Sequence, residues 1–379
     1  MQSALGDLEA AGLLRTPAVV ADACGPRTSV DGREVVCLCS NDYLALANDP
    51  AVRAATIEAI ERWGVGAGAS RLVSGTTDLH VKLETRLAAF KNAPAAVVTP
   101  TGWMANHAAI HALTGSGDLI ICDKLNHASI LDAATSSGAR VRTFPHRRVD
   151  RLEQLLARHR SRHRRCLIVT DSLFSMDGDL APLRQIVELK SHFDAQLLID
   201  EAHATGVFGA DGRGVAEAMG VEDQIDATVG TLSKAFGSLG GFVAGPKVLI
   251  DTIRNTGRAF IYTTAPPPAL CAGAIKALEI IEHEPHRRTA LLAKAGELRS
   301  QLTRMGTDTG NSQSQIIPVI VGSADTTVRL SQRLLERGFF VPAIRPPTVP
   351  RGTARLRVSL SSAHDPDDLA AFADALSGA

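Results

Sequence analysis

The stretch Gln196-Leu-Leu-Ile-Asp200-Glu-Ala-His203 decides the fold. An apolar run passes directly into two acids and a histidine. Such a run reads as a strand buried on both faces. Polar groups at its carboxyl end read as a site, because open α/β sheets bind ligands where their strands finish. The same texture recurs on both sides, at Ala95–Thr99, Leu119–Cys122, Val141–Phe144, Cys166–Thr170, Asp226–Leu232 and Gly241–Ala244. All of these read as buried parallel strands. Segments with helical apolar spacing, such as Trp103–Leu113 and Leu183–His192, lie between several of them. This alternation predicts an α/β fold, an open parallel sheet covered on both faces.

From about Pro266 the texture changes. A long helical stretch to Met305 leads to strands at Ile316–Val321 and Arg355–Leu360, with another helix near Thr327–Arg337. That pattern reads as a smaller C-terminal α+β domain. The expected division is an N-terminal segment over 1–45, a large α/β domain over 46–260 and the small domain over 261–379. A chain of 379 residues is also longer than one core usually organises.

Composition excludes whole classes. Forty basic residues balance forty acidic ones, giving formal net charge zero, which argues against a chain held mainly by nucleic-acid phosphates or anionic lipid. The block Pro145–Arg165 holds eight arginines and three histidines, but no aromatic residue on which bases could stack. It reads as a solvated helix face. Met1–Ala10 has no basic, apolar leader character, and no apolar run reaches the roughly 18 residues of a membrane span. The six cysteines, Cys24, Cys37, Cys39, Cys122, Cys166 and Cys271, form no CxxC pair and have no histidine at ligand spacing. Neither a metal site nor a disulfide framework is expected. These features point to a reduced, cytoplasmic protein.

Familiar signatures lack their context. Gly64-Val-Gly66-Ala-Gly68-Ala69 fits a loose dinucleotide pattern, yet Ala51–Trp63 before it reads as a helix where a strand is required. Asp200-Glu-Ala-His203 resembles a helicase box, but no GxxxxGK[ST] loop exists to hold a triphosphate. A GxSxG nucleophile turn is also missing.

Strand ends carry the chemistry. Ala95–Thr99 leads into Thr101-Gly102-Trp103 and a helix, whose N-terminus suits a phosphate. Leu119–Cys122 leads to Asp123 and Asn126-His127-Ala-Ser129, and Cys166–Thr170 to Asp171 and Phe174-Ser175-Met-Asp-Gly178. Asp226–Thr231 leads to Ser233-Lys234. The chain has only eight lysines against thirty-two arginines. Lys234 sits directly after an apolar strand and just before a glycine-containing turn, where an amine can be buried and activated. A phosphate-ready helix start, a buried acid, a histidine able to stack on a flat ring and an amine nucleophile together make a site for pyridoxal phosphate. That cofactor needs a lysine Schiff base and an acid on its pyridinium nitrogen.

The motifs, in order, resemble the α-oxoamine synthase family of fold-type I pyridoxal-phosphate enzymes. They are Ser40-Asn-Asp-Tyr43-Leu, Val73-Ser-Gly75, Asn126-His-Ala-Ser129, Phe174-Ser-Met-Asp-Gly178, Asp200-Glu-Ala-His203-x-Thr-Gly206, Gly212-Arg-Gly214 and Thr231-x-x-Lys234. The resemblance implies an aspartate aminotransferase-like fold with a seven-stranded, mostly parallel sheet. It implies that Lys234 carries the cofactor, Asp200 pairs with the pyridinium nitrogen and His127 stacks on the ring. His203 and Ser175 would bond the phenolic oxygen. The phosphate would meet Gly102, Trp103, Thr231 and, from a partner subunit, Thr263 or Thr264, in a homodimer with shared active sites. Asn41 and Arg357 would hold the amino acid carboxylate, and Arg15 and Arg345 the acyl substrate. Within the family, Ala343-Ile-Arg345-Pro-Pro-Thr-Val-Pro350-x-Gly-Thr-Ala-Arg-Leu-Arg357 resembles the member that joins L-alanine to a pimeloyl thioester of CoA or acyl carrier protein. It fits less well the member that uses glycine and acetyl-CoA. Ala45, Ala69 and Asn126 depart from the family's commoner residues without removing a chemical group.

Overall fold

The computed structural model describes residues 2–10 and 13–378. In chain order its strands are β1 (Arg27–Val30), β2 (Arg33–Cys37), β3 (Ala95–Thr99), β4 (Leu119–Asp123), β5 (Arg140–Phe144), β6 (Cys166–Asp171), β7 (Gln196–Asp200), β8 (Ala227–Thr231), β9 (Gly241–Gly245), β10 (Ile316–Gly322), β11 (Phe339–Phe340), β12 (Ala343–Ile344) and β13 (Ala354–Ser359). They fall into two compact units. The larger comprises Asp49–Phe174 and Leu180–Arg288; the smaller runs up to Asn48, includes Ser175–Asp179 and resumes at Thr289.

One seven-stranded sheet of order β3-β9-β8-β7-β6-β4-β5 organises the larger unit. Every residue of β4 and β6 is buried, as the continuous apolar runs require of strands covered on both faces. The pairs β4–β5, β4–β6, β6–β7 and β7–β8 are parallel, so their carboxyl ends lie together. In the β6–β7 pair Asp171 stands directly opposite Asp200. One strand departs from the expected direction: β9 runs antiparallel to both β8 and β3. Only Leu232–Gly240 connects β8 to β9, too little chain for the crossover that a parallel neighbour needs.

The long helix expected from Pro266 to Met305 is two helices, Pro268–His283 and His286–Arg304. Pro285 separates them. Its ring disfavours helical backbone at the residue before it, and Glu284 accordingly leaves the helix at φ −118°, ψ 60°. The first helix packs on Pro50–Trp63 and Asp78–Phe90 within the larger unit. The division therefore falls after Arg288, one helix beyond the boundary drawn from sequence at 261.

The arginine-rich block forms the helix Val149–His159, which buries Leu152 and Leu156 and exposes Arg151 and Arg158. Among the described residues, no helix is long and apolar enough to cross a membrane.

In the smaller unit β10-β13-β12 and β1-β2-β11 form two three-stranded sheets. Arg355 and Arg357 point to one face of β13, being two residues apart on a strand. Gly178 closes the Phe174–Gly178 motif at φ +68°, and an added Cβ would lie 2.0 Å from the Ile316 carbonyl oxygen. Only glycine lets this loop meet β10.

Two arginines of the basic block anchor the base of the sheet. Asp118, fully buried just before β4, accepts hydrogen bonds from Arg164 and Arg165 and from the Gly115 N–H. Burial alone would raise its pKa, but the two guanidiniums outweigh it and bring the carboxyl to about 2. A carboxylate with a lowered folded-state pKa contributes stability above its unfolded value near 4, and that contribution disappears as pH falls toward 2. Asp118→Asn should therefore lower the urea midpoint at pH 7. The gap from the parent chain should close as the pH is lowered from 5 to 2, and a gap independent of pH would contradict this role.

Candidate active site

The carboxyl ends of β6, β7 and β8 and the first turn of the helix Gly102–Leu113 enclose a cavity of about 250 Å³, near the lower end of small-molecule pockets. Lys234 enters it from the turn after β8. That turn is tied down by Thr231, whose Oγ1 accepts from the Ser233 N–H and donates to the Gly240 carbonyl. Lys234 Nζ lies 2.9 Å from His203 Nε2. The amine and imidazole thus meet in the cavity, from positions the sequence separates by a strand.

Asp200 ends β7 and is almost wholly buried. Both its oxygens are engaged: Oδ1 accepts from the Ala202 N–H at 2.8 Å and Oδ2 from Asn106 Nδ2 at 2.7 Å. Asp171, opposite it on β6, accepts the His127 backbone N–H at 2.8 Å. Burial and the charge of Asp200 push the Asp171 carboxyl well above the usual carboxylate range, although the His127 N–H and Lys234 act against this. His127 caps the helix Ala128–Ser136, its Nδ1 facing the Ser129 N–H and Oγ. Its ring keeps access to solvent. Desolvation by its surroundings still lowers its pKa, with Lys234 adding to this and Asp200 opposing it.

Opposite the acids, Thr101 caps the helix by accepting the Met104 N–H. The preceding N–H groups, those of Gly102 and Trp103, belong to the first turn, whose donors have no partner inside a helix. With the helix dipole they make an anion site. Gly241, the first residue of β9, makes the approach possible: a Cβ there would lie 2.4 Å from the Thr101 carbonyl oxygen and 2.6 Å from the Gly102 backbone. The donor set fits pyridoxal phosphate. It holds one amine, a buried acid bonded on both oxygens, an imidazole open to a flat ring and a helix start for the phosphate.

The remaining sequence-derived residues are not among those lining this cavity. Thr263 and Thr264 do not line this cavity; Thr264 bridges to Ser70 and is exposed. In the smaller unit, Arg357 donates to the Ser175 carbonyl, to Asn41 Oδ1 at 3.1 Å and to the Tyr43 hydroxyl at 3.4 Å. Arg15 and Arg345 each bond the backbone beside the other: Arg15 donates to the Pro346 carbonyl at 3.0 Å and Arg345 to that of Leu14 at 3.2 Å. Burial and the neighbouring charge of Arg15 lower the Arg345 pKa.

Sequence reasoning gave Asp171 and Ser129 no role and missed Asn106. A signal was present for Asn106, a polar residue one helical turn after Gly102 in the otherwise apolar run that the helix buries.

Comparison with known proteins identifies the family. The model of the family described as aminotransferase class I and II matches residues 33–376. An 8-amino-7-oxononanoate synthase of Geobacter sulfurreducens is 48% identical over 367 residues, 96% of this chain and 94% of that protein. Among solved structures, a lysine-to-alanine variant of a serine palmitoyltransferase from S. paucimobilis, with bound PLP, superposes with TM-score 0.95 at 32% identity, covering 100% of this chain and 96% of that one. An 8-amino-7-oxononanoate synthase from Francisella tularensis superposes with TM-score 0.79 at 27% identity, covering 91% and 97%. With Lys234, Asp200 and His203 gathered at the strand ends of such a fold, the chain belongs to the aminotransferase class I and II family.

Proposed function

We propose that this chain is a pyridoxal-phosphate-dependent acyltransferase with the activity of an 8-amino-7-oxononanoate synthase. It condenses L-alanine with pimeloyl-CoA or pimeloyl-acyl carrier protein, releasing carbon dioxide and the free thiol and forming 8-amino-7-oxononanoate for biotin. The observation that carries the reading is Lys234 Nζ set 2.9 Å from His203 Nε2 beside the buried Asp200, in a chain 48% identical to a synthase of that name.

Bound pyridoxal phosphate supplies an electron sink for negative charge at the α-carbon of the amino acid. The chain supplies the rest. Asp200 accepts a hydrogen bond from the ring nitrogen, and its two N–H partners, Asn106 and Ala202, hold it in place. His127 covers one ring face, and His203 donates to the phenolic oxygen together with Ser175. Gly102, Trp103 and Thr231 bind the phosphate. Lys234 anchors the cofactor; once the amino acid is bound, its amine takes the α-proton as a general base and returns a proton at the end. The planar guanidinium of Arg357, with Asn41, binds the amino acid carboxylate. Arg15 and Arg345 take the acyl substrate. Their adjacent charges suit an anionic chain end.

A homodimer with shared active sites is part of this reading, with Thr263 or Thr264 reaching the phosphate in the partner's site. Leu72, Val73 and Tyr262, within three residues of the Ser70–Thr264 bridge along the chain, are exposed, and exposed large apolar side chains support an interface there. All six cysteines are unpaired, which supports a reducing, cytoplasmic setting.

Absorbance spectra and thiol release test the reading together. The purified chain should show a visible cofactor band, and thiol should appear only when L-alanine and pimeloyl-CoA are both present. Release only from glycine and acetyl-CoA would reassign it as a 2-amino-3-ketobutyrate CoA ligase. A chain that cannot be loaded with pyridoxal phosphate would overturn the site. Lys234→Ala should abolish turnover and the covalent attachment that borohydride fixes.

The two arginine sites separate by kinetics. Arg357→Ala should raise the KM for L-alanine about tenfold or more, on the scale of a charged hydrogen bond, with little effect on that for pimeloyl-CoA. Arg345→Ala should do the reverse, and equal effects on both constants would contradict the assignment.

A further inference from the structure

A buried hydrogen-bonded chain joins the two groups that the cofactor reading places against the ring. Asn106 Nδ2 lies 2.7 Å from Asp200 Oδ2 and 2.9 Å from Ser129 Oγ, and Ser129 Oγ lies 2.8 Å from His127 Nδ1. Asn106 and Ser129 are each only 1% exposed and Asp200 is nearly as buried, so water does not compete for the bonds among these three. Neither belongs to the set that holds the ring or the substrates.

Chemistry fixes the direction of every bond. A carboxylate only accepts, so the Asn106 atom facing Asp200 must be its NH₂ group. The second hydrogen of that amide then points to Ser129 Oγ, which accepts it. The Ser129 hydroxyl is left to donate, and His127 Nδ1 is the atom in reach. The Ser129 backbone N–H faces the same nitrogen at 3.3 Å. Two donors on Nδ1 require it to carry its lone pair, so the imidazole proton sits on Nε2.

We propose that Asn106 and Ser129 are positioning residues: together they fix the Asp200 carboxylate and hold His127 as the neutral Nε2–H tautomer before the cofactor arrives. This inference rests on the cofactor reading above. The charged and titratable groups facing His127 are Asp171 at the end of β6, Asp200 at the end of β7, and Lys234 after β8; Trp103 approaches its ring edge-to-face with centroids 6.0 Å apart. None of these bonds Nδ1, which leaves the tautomer to Ser129.

The test uses the full-length chain, apo and loaded with pyridoxal phosphate, as parent, Asn106→Ala, Ser129→Ala and Ser129→Thr. In the apo protein, the imidazole ¹⁵N shifts of His127 report which nitrogen holds the proton. The parent should show Nε2–H. Ser129→Ala should shift toward mixed tautomers, and Ser129→Thr, which keeps the hydroxyl, should restore the parent pattern. Affinity for pyridoxal phosphate, followed by absorbance, should fall about tenfold or more in both alanine variants, the scale known for losing the bond behind a metal-bound imidazole. It should stay near parental in Ser129→Thr. Parental tautomer and affinity in Ser129→Ala would overturn the proposal, even if Asn106→Ala failed to fold. A parent chain that bound no pyridoxal phosphate would overturn the cofactor reading instead, and the apo spectra would still decide the tautomer.

Discussion

The pairing of β6 with β7 places Asp171 opposite Asp200 at the buried ends of two parallel strands, and much of the larger unit can be understood as an answer to that placement. Two acids side by side and away from water repel each other and resist ionisation. The surrounding groups meet the demand unequally. Asp200 receives two N–H donors, while Asp171 receives the His127 N–H and is pushed toward its neutral form. Two chemically identical groups thus acquire different surroundings from their neighbours.

Close backbone approach is the second constraint. The short return from β8 to β9 reverses one strand inside an otherwise parallel set. It also brings the amino end of β9 against the start of the helix Gly102–Leu113. Only a residue without a side chain fits where Gly241 meets Thr101 and Gly102. The anion-ready helix start and the amine-bearing turn therefore depend on one glycine and one strand reversal.

The smaller unit gathers its polar residues from three distant parts of the chain. Asn41, Ser175 and Arg357 meet because β13 presents Arg357 to the Phe174–Gly178 loop, which Gly178 allows to lie on β10. The guanidinium of Arg357 is almost buried and held by oxygens that are not formal anions. Its charge is therefore oriented without being cancelled, the condition under which a guanidinium can recruit a carboxylate.

Period and polarity alone disclosed most elements. Ala95–Thr99, Gln196–Asp200 and Leu183–His192 fall where the apolar runs place them, since a strand buried on both faces and an amphipathic helix write their periods directly into the chain. Lys234, Asp200, His203 and His127 were visible because they follow strands, and parallel strands bring their carboxyl ends together. The reversal of β9, the break at Pro285 and the unit boundary after Arg288 were less legible, since they depend on connection length and on which neighbour a helix finds. The Asn106–Ser129 chain was decided by tertiary structure alone. A hydrogen bond between residues on different elements has no period in sequence, and it exists only once the sheet has set the distances.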